Sequence, residues 1–454
     1  MSEQKKSYEM NMCEGPLAGK MLLFTVPLMF SGILQLLFNA ADTIVVGRYA
    51  GREALAAVGS TTALINLLVN LFMGLSVGAN ILVARYYGAK REKDIEETVH
   101  TSITVAALAG VVLAILGNIF VKPLLVLMGS PEDVIDLAAL YVKIYFMGMP
   151  VILVYNYGAA ILRAVGDTKR PLYYLTAAGI VNVVLNLLFV IKFELSVAGV
   201  ALATVISQCV SVALLLRCMY KMEGSCHLEF RKLGINQEKA WLLLRHGLPA
   251  GLQSSVFSFS NVLIQSSINS FGSVAMAGSS AAANIEGFVY TSMNSFQQTA
   301  LCFTSQNLGG GKYERISRVF RNSLLMVACV GLFMGGGCYL LGNQLLRIYS
   351  SDAEVISYGL IRMRWICLPY LLCGLMDVLV GMLRGLGYAV VPMCVSVIGA
   401  CGLRILWIAT VFAKFHSLDV LYSSYPISWI ITGATHLICF IVIWRKMKKK
   451  LINQ

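Results

Sequence analysis

The 454-residue chain is 57% hydrophobic and only 13% charged, with a mean hydropathy of +0.73. Soluble domains carry about 25% charged residues, so a soluble enzyme or a freely diffusing binding module is excluded at the outset. The net charge of +13 does not point to nucleic acid, because the basic residues gather in short segments between apolar runs, as they do on the cytoplasmic side of membrane proteins.

Residues 1–18 are polar and hold no apolar core of a signal peptide, so they read as a cytoplasmic N-terminal segment. Twelve apolar runs follow, at about 20–46, 57–84, 98–121, 134–157, 171–192, 197–219, 241–268, 276–304, 319–342, 355–380, 390–412 and 420–444. Each suffices for the roughly 20 residues that cross a bilayer, and none alternates as a β-barrel strand does. The fold class expected is an all-α polytopic membrane protein of twelve transmembrane helices. Twelve cysteines are present, none in a CxxC pair. Most lie within apolar runs and read as small hydrophobes rather than as disulfides or metal ligands.

In the first run, Ser31, Gln35, Asn39 and Asp42 are spaced four, four and three residues apart, which puts them on one helical face. A carboxylate inside a membrane helix is costly and is by default a functional residue. Asp42 is therefore read as an ion-coupling group that either carries a proton or stays ionised and holds sodium with other oxygen ligands. The structural alternative is a carboxylate bonded to neighbouring helices. Pro27, in the same run, is a candidate pivot. The fifth run brings Asn182 and Asn186 four apart, and the sixth brings Thr204, Gln208 and Ser211. Such stripes either serve Asp42 or pack helices together.

The second half carries its own acids, Glu286 in the eighth run and Asp377 in the tenth. With Gln35, Asn39 and Asn261 they are candidates for substrate contact or a second cation site. Glu286 has Arg364 or another base as its structural alternative partner. Arg362 and Arg404 are further basic residues within apolar runs. Arg163 and Arg384 end the fourth and tenth runs and read, with Pro27, as gate or anchor residues, since cations suit helix C-termini.

Alternate connecting segments hold 26 of the 36 basic residues, so that side, with both termini, is expected to face the cytoplasm of the cell membrane. The chain also repeats itself. The stretch from Arg163 through Gly166 to Pro171 reappears as Arg384, Gly387 and Pro392, at an offset of 384 − 163 = 221. Pro27 and Asn39 match Pro249 and Asn261 at 222. The position of Asp42 becomes Ile264 or Leu263, so this acid is specific to the first copy. Six spans per copy imply parallel repeats related by an axis along the membrane normal. The expected divisions are a segment 1–18, a first lobe 19–219, a cytoplasmic linker 220–240, a second lobe 241–444 and a basic tail 445–454.

Three sets of residues resemble the multidrug and toxic compound extrusion (MATE) family, prokaryotic type. They are Gly88-Ala89-Lys90 with its copy Gly310-Gly311-Lys312, the Arg163–Pro171 motif with its Arg384 copy, and Pro27, Gln35, Asn39 and Asp42 of the first run. The resemblance covers nearly the whole chain. It implies a V-shaped pair of six-helix lobes that exports organic, often cationic, compounds in exchange for sodium ions or protons. It also implies that a first-helix Asp is joined by two polar side chains four apart in helix five and by a Thr in helix six. Asp42, Asn182, Asn186 and Thr204 match that layout. The Asn186 position is an Asp in some members, so this chain has one acid where those have two. The helix-seven acid of some members has no counterpart within 253–261.

Taken together, the expected function is secondary active efflux of small, cationic, amphipathic compounds by a monomer in the lipid bilayer. No Walker-type loop supplies ATP drive, so a proton or sodium gradient is the expected energy source. No cofactor, no nucleic acid, no catalytic residue and no metal beyond sodium at Asp42 is expected. The alternative is a flippase of the same superfamily for lipid-linked precursors or polysaccharide intermediates.

Overall fold

A computed structural model describes residues 8–127 and 132–452. Lys5 and Lys6 of the N-terminal segment and the last two residues of the tail lie outside it. Among the described residues there is no β-strand. Inside lipid every backbone N–H and C=O must bond within the chain, and uninterrupted apolar runs do so as helices. The first half holds α1 (Leu17–Val45), α2 (Arg52–Gly88), α3 (Glu92–Leu127), α4 (Glu132–Met147), α5 (Met149–Ala164), α6 (Lys169–Leu187) and α7 (Ser196–Lys221). The second holds α8 (Gln237–Asn269), α9 (Ser273–Gly309), α10 (Tyr313–Leu340), α11 (Gly342–Arg347), α12 (Ala353–Trp365), α13 (Tyr370–Gly385), α14 (Val390–Ser396), α15 (Leu403–Trp407) and α16 (Leu418–Ile452).

Among the described residues, eight helices are long and apolar enough to cross a membrane, and ten if the two bent pairs each count as one span. The pairs are α4 with α5, bent by 49°, and α12 with α13, bent by 46°. Each break carries a proline, Pro150 or Pro369, which withholds the N–H that would continue the helix. α8 and α9, of 33 and 37 residues, occupy the places of the seventh and eighth expected spans. They are rich in Ser, Gln and Asn, which lowers their hydropathy but not their length.

The repeat is visible in the backbone. Gly51 and Gly272 both have φ 91, Gly166 and Gly387 have φ 94 and 96, and Lys90 and Gly311 have φ 55 and 68. These are left-handed positions that favour glycine, and they recur 221 residues apart. At Gly166 space enforces the same choice, since an added Cβ would lie 2.5 Å from Met10 Cβ.

The chain forms two compact units, one of residues up to 11 with 30–251, the other of 12–29 with the remainder from 252. The divisions therefore fall inside α1 and α8, at repeat-equivalent points (251 − 29 = 222), each two residues after a proline, Pro27 or Pro249. The sequence reading instead placed the division in a linker at 220–240, because it followed the repeat and not the packing. That segment is stitched to the start of α3 within the first unit. Glu229 N donates to His100 Nε2 at 3.0 Å, Asn236 N to Thr101 Oγ1 at 3.1 Å, and Lys232 Nζ reaches Glu96 at 2.9 Å. Lys239, only 3% exposed, pairs with Asp94 and lies over the Tyr86 ring at 4.7 Å. Within the second unit, Met12 N donates to Gln306 Oε1 at 3.1 Å, and Arg315 Nη1 to Gly15 O at 3.2 Å.

Candidate functional site

In the first unit, α6 and α7 pack side by side, and the second part of α1 presents Asp42 to them. Asn186 Nδ2 donates to Asp42 Oδ1. The same amide donates to Asn182 Oδ1 at 3.3 Å, and Asn182 Nδ2 reaches Thr204 Oγ1 at 3.5 Å. Thr204 closes the series by donating to Val200 O at 3.0 Å. The four residues that sequence spacing and resemblance singled out are thus brought together as one polar chain across three helices. Asn182 and Asn186 are buried, and Asp42 and Thr204 are half-buried. No basic side chain pairs with Asp42 among the described residues. Asn186 Oδ1 is a buried acceptor with no hydrogen-bond partner.

Local backbone geometry supports this meeting. Asp42 lies one turn before a π-helical segment, Val46–Ala50, and Asn186 lies just before another, Leu188–Lys192. The two segments pack against each other. Such widened turns re-aim side chains and recur at functional sites.

The candidates for substrate contact and for gating lie apart from this polar chain. Gln35 and Asn39 are exposed on α1, as is Asn261 on α8, so the first-run stripe does not converge as a group. Pro27 is buried within α1, two residues after Thr25, whose Oγ1 shares a hydrogen bond with Thr299 Oγ1 at 2.7 Å. Arg163 is half-buried at the end of α5. Its copy Arg384 is 6% exposed and donates through Nη2 to Gln253 Oε1 at 2.9 Å.

The acids of the second unit sit differently. Glu286 Oε2 accepts from Arg362 Nε at 3.0 Å and Nη2 at 2.9 Å, and Arg362 Nη1 donates to Ser279 Oγ at 2.9 Å. Tyr422 OH completes the group at Ser279. The partner of Glu286 is therefore Arg362; Arg364 is exposed. Asp377 is 9% exposed and lies in the field of Arg384, two turns along α13. Both carboxylates thus have a compensating guanidinium, whereas Asp42 has none. Among the described residues no group of three or more His, Cys, Asp or Glu forms a metal site. The donors around Asp42 are a carboxylate, amide oxygens and a hydroxyl. These are hard ligands that suit sodium, and the spare Asn186 oxygen fits such an ion or the proton of a neutral Asp42.

Fold and site together define a polytopic α-helical membrane protein built from two copies of one unit, with an unpaired acid in the first. Comparison with known proteins identifies that class further. The MatE family profile matches residues 27–188 and again 249–410, an offset of 222 that restates the internal repeat. The chain is 30% identical to the probable multidrug resistance protein YoeA of Bacillus subtilis over 94% of both chains. It is 26% identical to the probable multidrug resistance protein NorM of Thermotoga maritima, over 88% of this chain and 87% of the relative. A crystal structure of a MATE protein in complex with MaL6 superposes with a TM-score of 0.90 at 20% identity, over 99% of this chain and 100% of that one. The chain belongs to the MatE family. It is a multi-pass membrane transporter of small molecules, of the multidrug efflux kind.

Proposed function

We propose that this transporter is a secondary active antiporter of the cell membrane, with both termini in the cytoplasm, in which the Asp42–Asn186–Asn182–Thr204 chain takes up a proton or a sodium ion. The observation that carries this reading is a membrane-embedded carboxylate without a basic partner, held by a buried amide that still has a free acceptor. A structural carboxylate in lipid would be expected to be neutralised, as Glu286 is by Arg362. An acid left open to a cation is what an exchanging ion needs.

When Asp42 is protonated, its hydroxyl can donate to Asn186 Oδ1. When sodium is bound instead, Asp42, the amide oxygens and Thr204 would hold it. Either event adds positive charge where α1, α6 and α7 meet and changes which arrangement of those helices is favoured. Coupling requires that ion and substrate favour opposite states. Substrates that are small organic cations fit the same logic, since the ion and the cargo then share a preference for the unpaired acid.

The test is dye efflux from proteoliposomes with proton and sodium gradients imposed one at a time. The wild-type protein should respond to one of them, and Asp42→Asn should lose that response by at least about tenfold. Full gradient-driven efflux in Asp42→Asn, or efflux indifferent to both gradients, would contradict the reading.

A further inference from the structure

Arg404 lies in α15, a five-residue α-helical stretch between two π-helical segments, Val397–Gly402 and Ile408–Phe412. It is 4% exposed. Its Nε donates to Ser428 Oγ at 2.9 Å. Its guanidinium carbon lies 4.1 Å from the centre of the Tyr425 ring and 5.8 Å from that of Trp429. Tyr425, Ser428 and Trp429 stand three and four residues apart on α16 and so share one face. Tyr370 backs Trp429 at 5.3 Å between ring centres.

This cage stacks the flat face of the cation but supplies one acceptor, the Ser428 hydroxyl. The two terminal nitrogens of Arg404, with four N–H groups, have no hydrogen-bond partner among the described residues. The acids of the unit's interior are already engaged, Glu286 by Arg362 and Asp377 by the field of Arg384. The terminal nitrogens are not fully enclosed by protein, and a guanidinium this deep in a membrane helix with most of its donors unmet is expensive unless the space they reach holds an acceptor. The fork geometry of those donors matches the two oxygens of a carboxylate or phosphate.

Between the offset of 221 at Pro171 and Pro392 and that of 222 at the ends of the family match, Arg404 falls at position 182 or 183 of the first unit, at or beside Asn182. Arg404 thus stands level with the polar chain that leads to Asp42, while the counterpart of Asp42 itself, Ile264 or Leu263, is aliphatic. The offset is 221 at Pro171 and Pro392 and 222 at the end of the match. The extra residue is what the widened π-helical turn at Val397–Gly402 can absorb.

We propose that Arg404 is a substrate-binding residue of the second unit, receiving the carboxylate or phosphate of an organic anion or zwitterion, with Tyr425 and Trp429 fixing its guanidinium. The proposal rests on this protein being a small-molecule transporter but not on ion coupling.

The full chain, purified in detergent with no gradient present, is titrated with rhodamine B, a zwitterion bearing a free carboxylate, and with its cationic ethyl ester, both read by fluorescence polarisation. The free acid should bind at least tenfold more tightly than the ester, about 1.4 kcal/mol. Arg404→Gln should bring the two within about twofold, and Arg404→Lys should retain part of the preference as a point charge. Equal binding of acid and ester by the wild type overturns the proposal, as does an acid preference that survives Arg404→Gln. Should Arg404→Gln fail to fold, the wild-type comparison and Arg404→Lys still decide. Sodium chloride alone serves as the third probe, read by tryptophan fluorescence. A saturable response in the wild type, with acid and ester indistinguishable, assigns the cage to an inorganic anion and also overturns the proposal. Because nothing here is driven by a gradient, failure of this test leaves the antiport reading untouched, and failure of antiport leaves this one.

Discussion

At the scale of single residues, the chain divides into charges with partners and charges without. Asp42 and Asn186 are joined directly, so they should act as one unit. Asp42→Asn and Asn186→Ala are each expected to lower gradient-driven efflux about tenfold or more, and the double variant should be no worse than the weaker single, because contacting residues do not add. Independent, multiplicative losses would show that the two side chains work separately. The Arg362–Glu286 pair makes the opposite prediction, about stability. Arg362→Gln strands a buried carboxylate and should cost about 3–5 kcal/mol, while Glu286→Gln with Arg362→Gln should recover most of it. Thermal melting of the purified protein decides; a double variant as unstable as the single would mean that the pair is not coupled.

The same residues show what sequence can and cannot reveal. Asp42 was legible because a lone acid in lipid stands out, and Asn182 and Asn186 because helical spacing puts them on one face, but it was the resemblance to the MATE layout that joined them with Thr204 into one set. The partner of Glu286 was not legible. Arg362 and Arg364 are two apart and so point to different sides of α12, and only packing against α9 selects Arg362. The cage of Arg404 was equally hidden, since its rings come from α16, more than twenty residues further along the chain.

At the scale of elements, glycines set how closely helices approach in the first unit. Gly74 and Gly78 on α2 face Gly247 and Gly251 on α8, both pairs spaced by four. A Cβ on Gly74 would lie 2.2 Å from the Gly251 backbone, and one on Gly78 would lie 2.3 Å from Leu243 O. Such small-residue crossings are how membrane helices gain close packing without a hydrophobic drive. Gly78→Ala and Gly251→Ala should each lower stability by about 1–3 kcal/mol. Gly59→Ala, where an added Cβ meets nothing within 4 Å, should be neutral or slightly stabilising because it removes a helix-interior glycine. Melting curves of the three variants check this; equal effects at all three positions would rule out the close crossing. The glycine spacing was present in the sequence, but nothing there said which two helices it joined. The π-helical turns were also illegible, because a one-residue widening leaves no mark on an apolar run.

At the scale of the molecule, duplication organises everything else. It was readable from a few motifs at offsets of 221 and 222, and the backbone repeats it in paired glycine conformations and in two bent spans of 49° and 46°. What the repeat did not convey is that the compact units divide inside α1 and α8, just past Pro27 and Pro249. Duplicated sequence marks ancestry, whereas packing decides which half-helix belongs to which unit. The two copies have also diverged in charge, with an open acid in one and an open guanidinium in the other.

The central claim is that Asp42 exchanges an ion against substrate, and ion release tests it most directly. Substrate dye is added to the purified protein in weakly buffered solution, and proton release is followed by pH indicator and sodium release by displacement of radioactive sodium. Reciprocal linkage requires that a substrate favouring one state expel the ion that favours the other. Wild-type protein should release about one ion per chain, and Asp42→Asn, at dye concentrations high enough to saturate it, should release none. Equal release by both proteins, or no release of either ion from the wild type, would contradict the account.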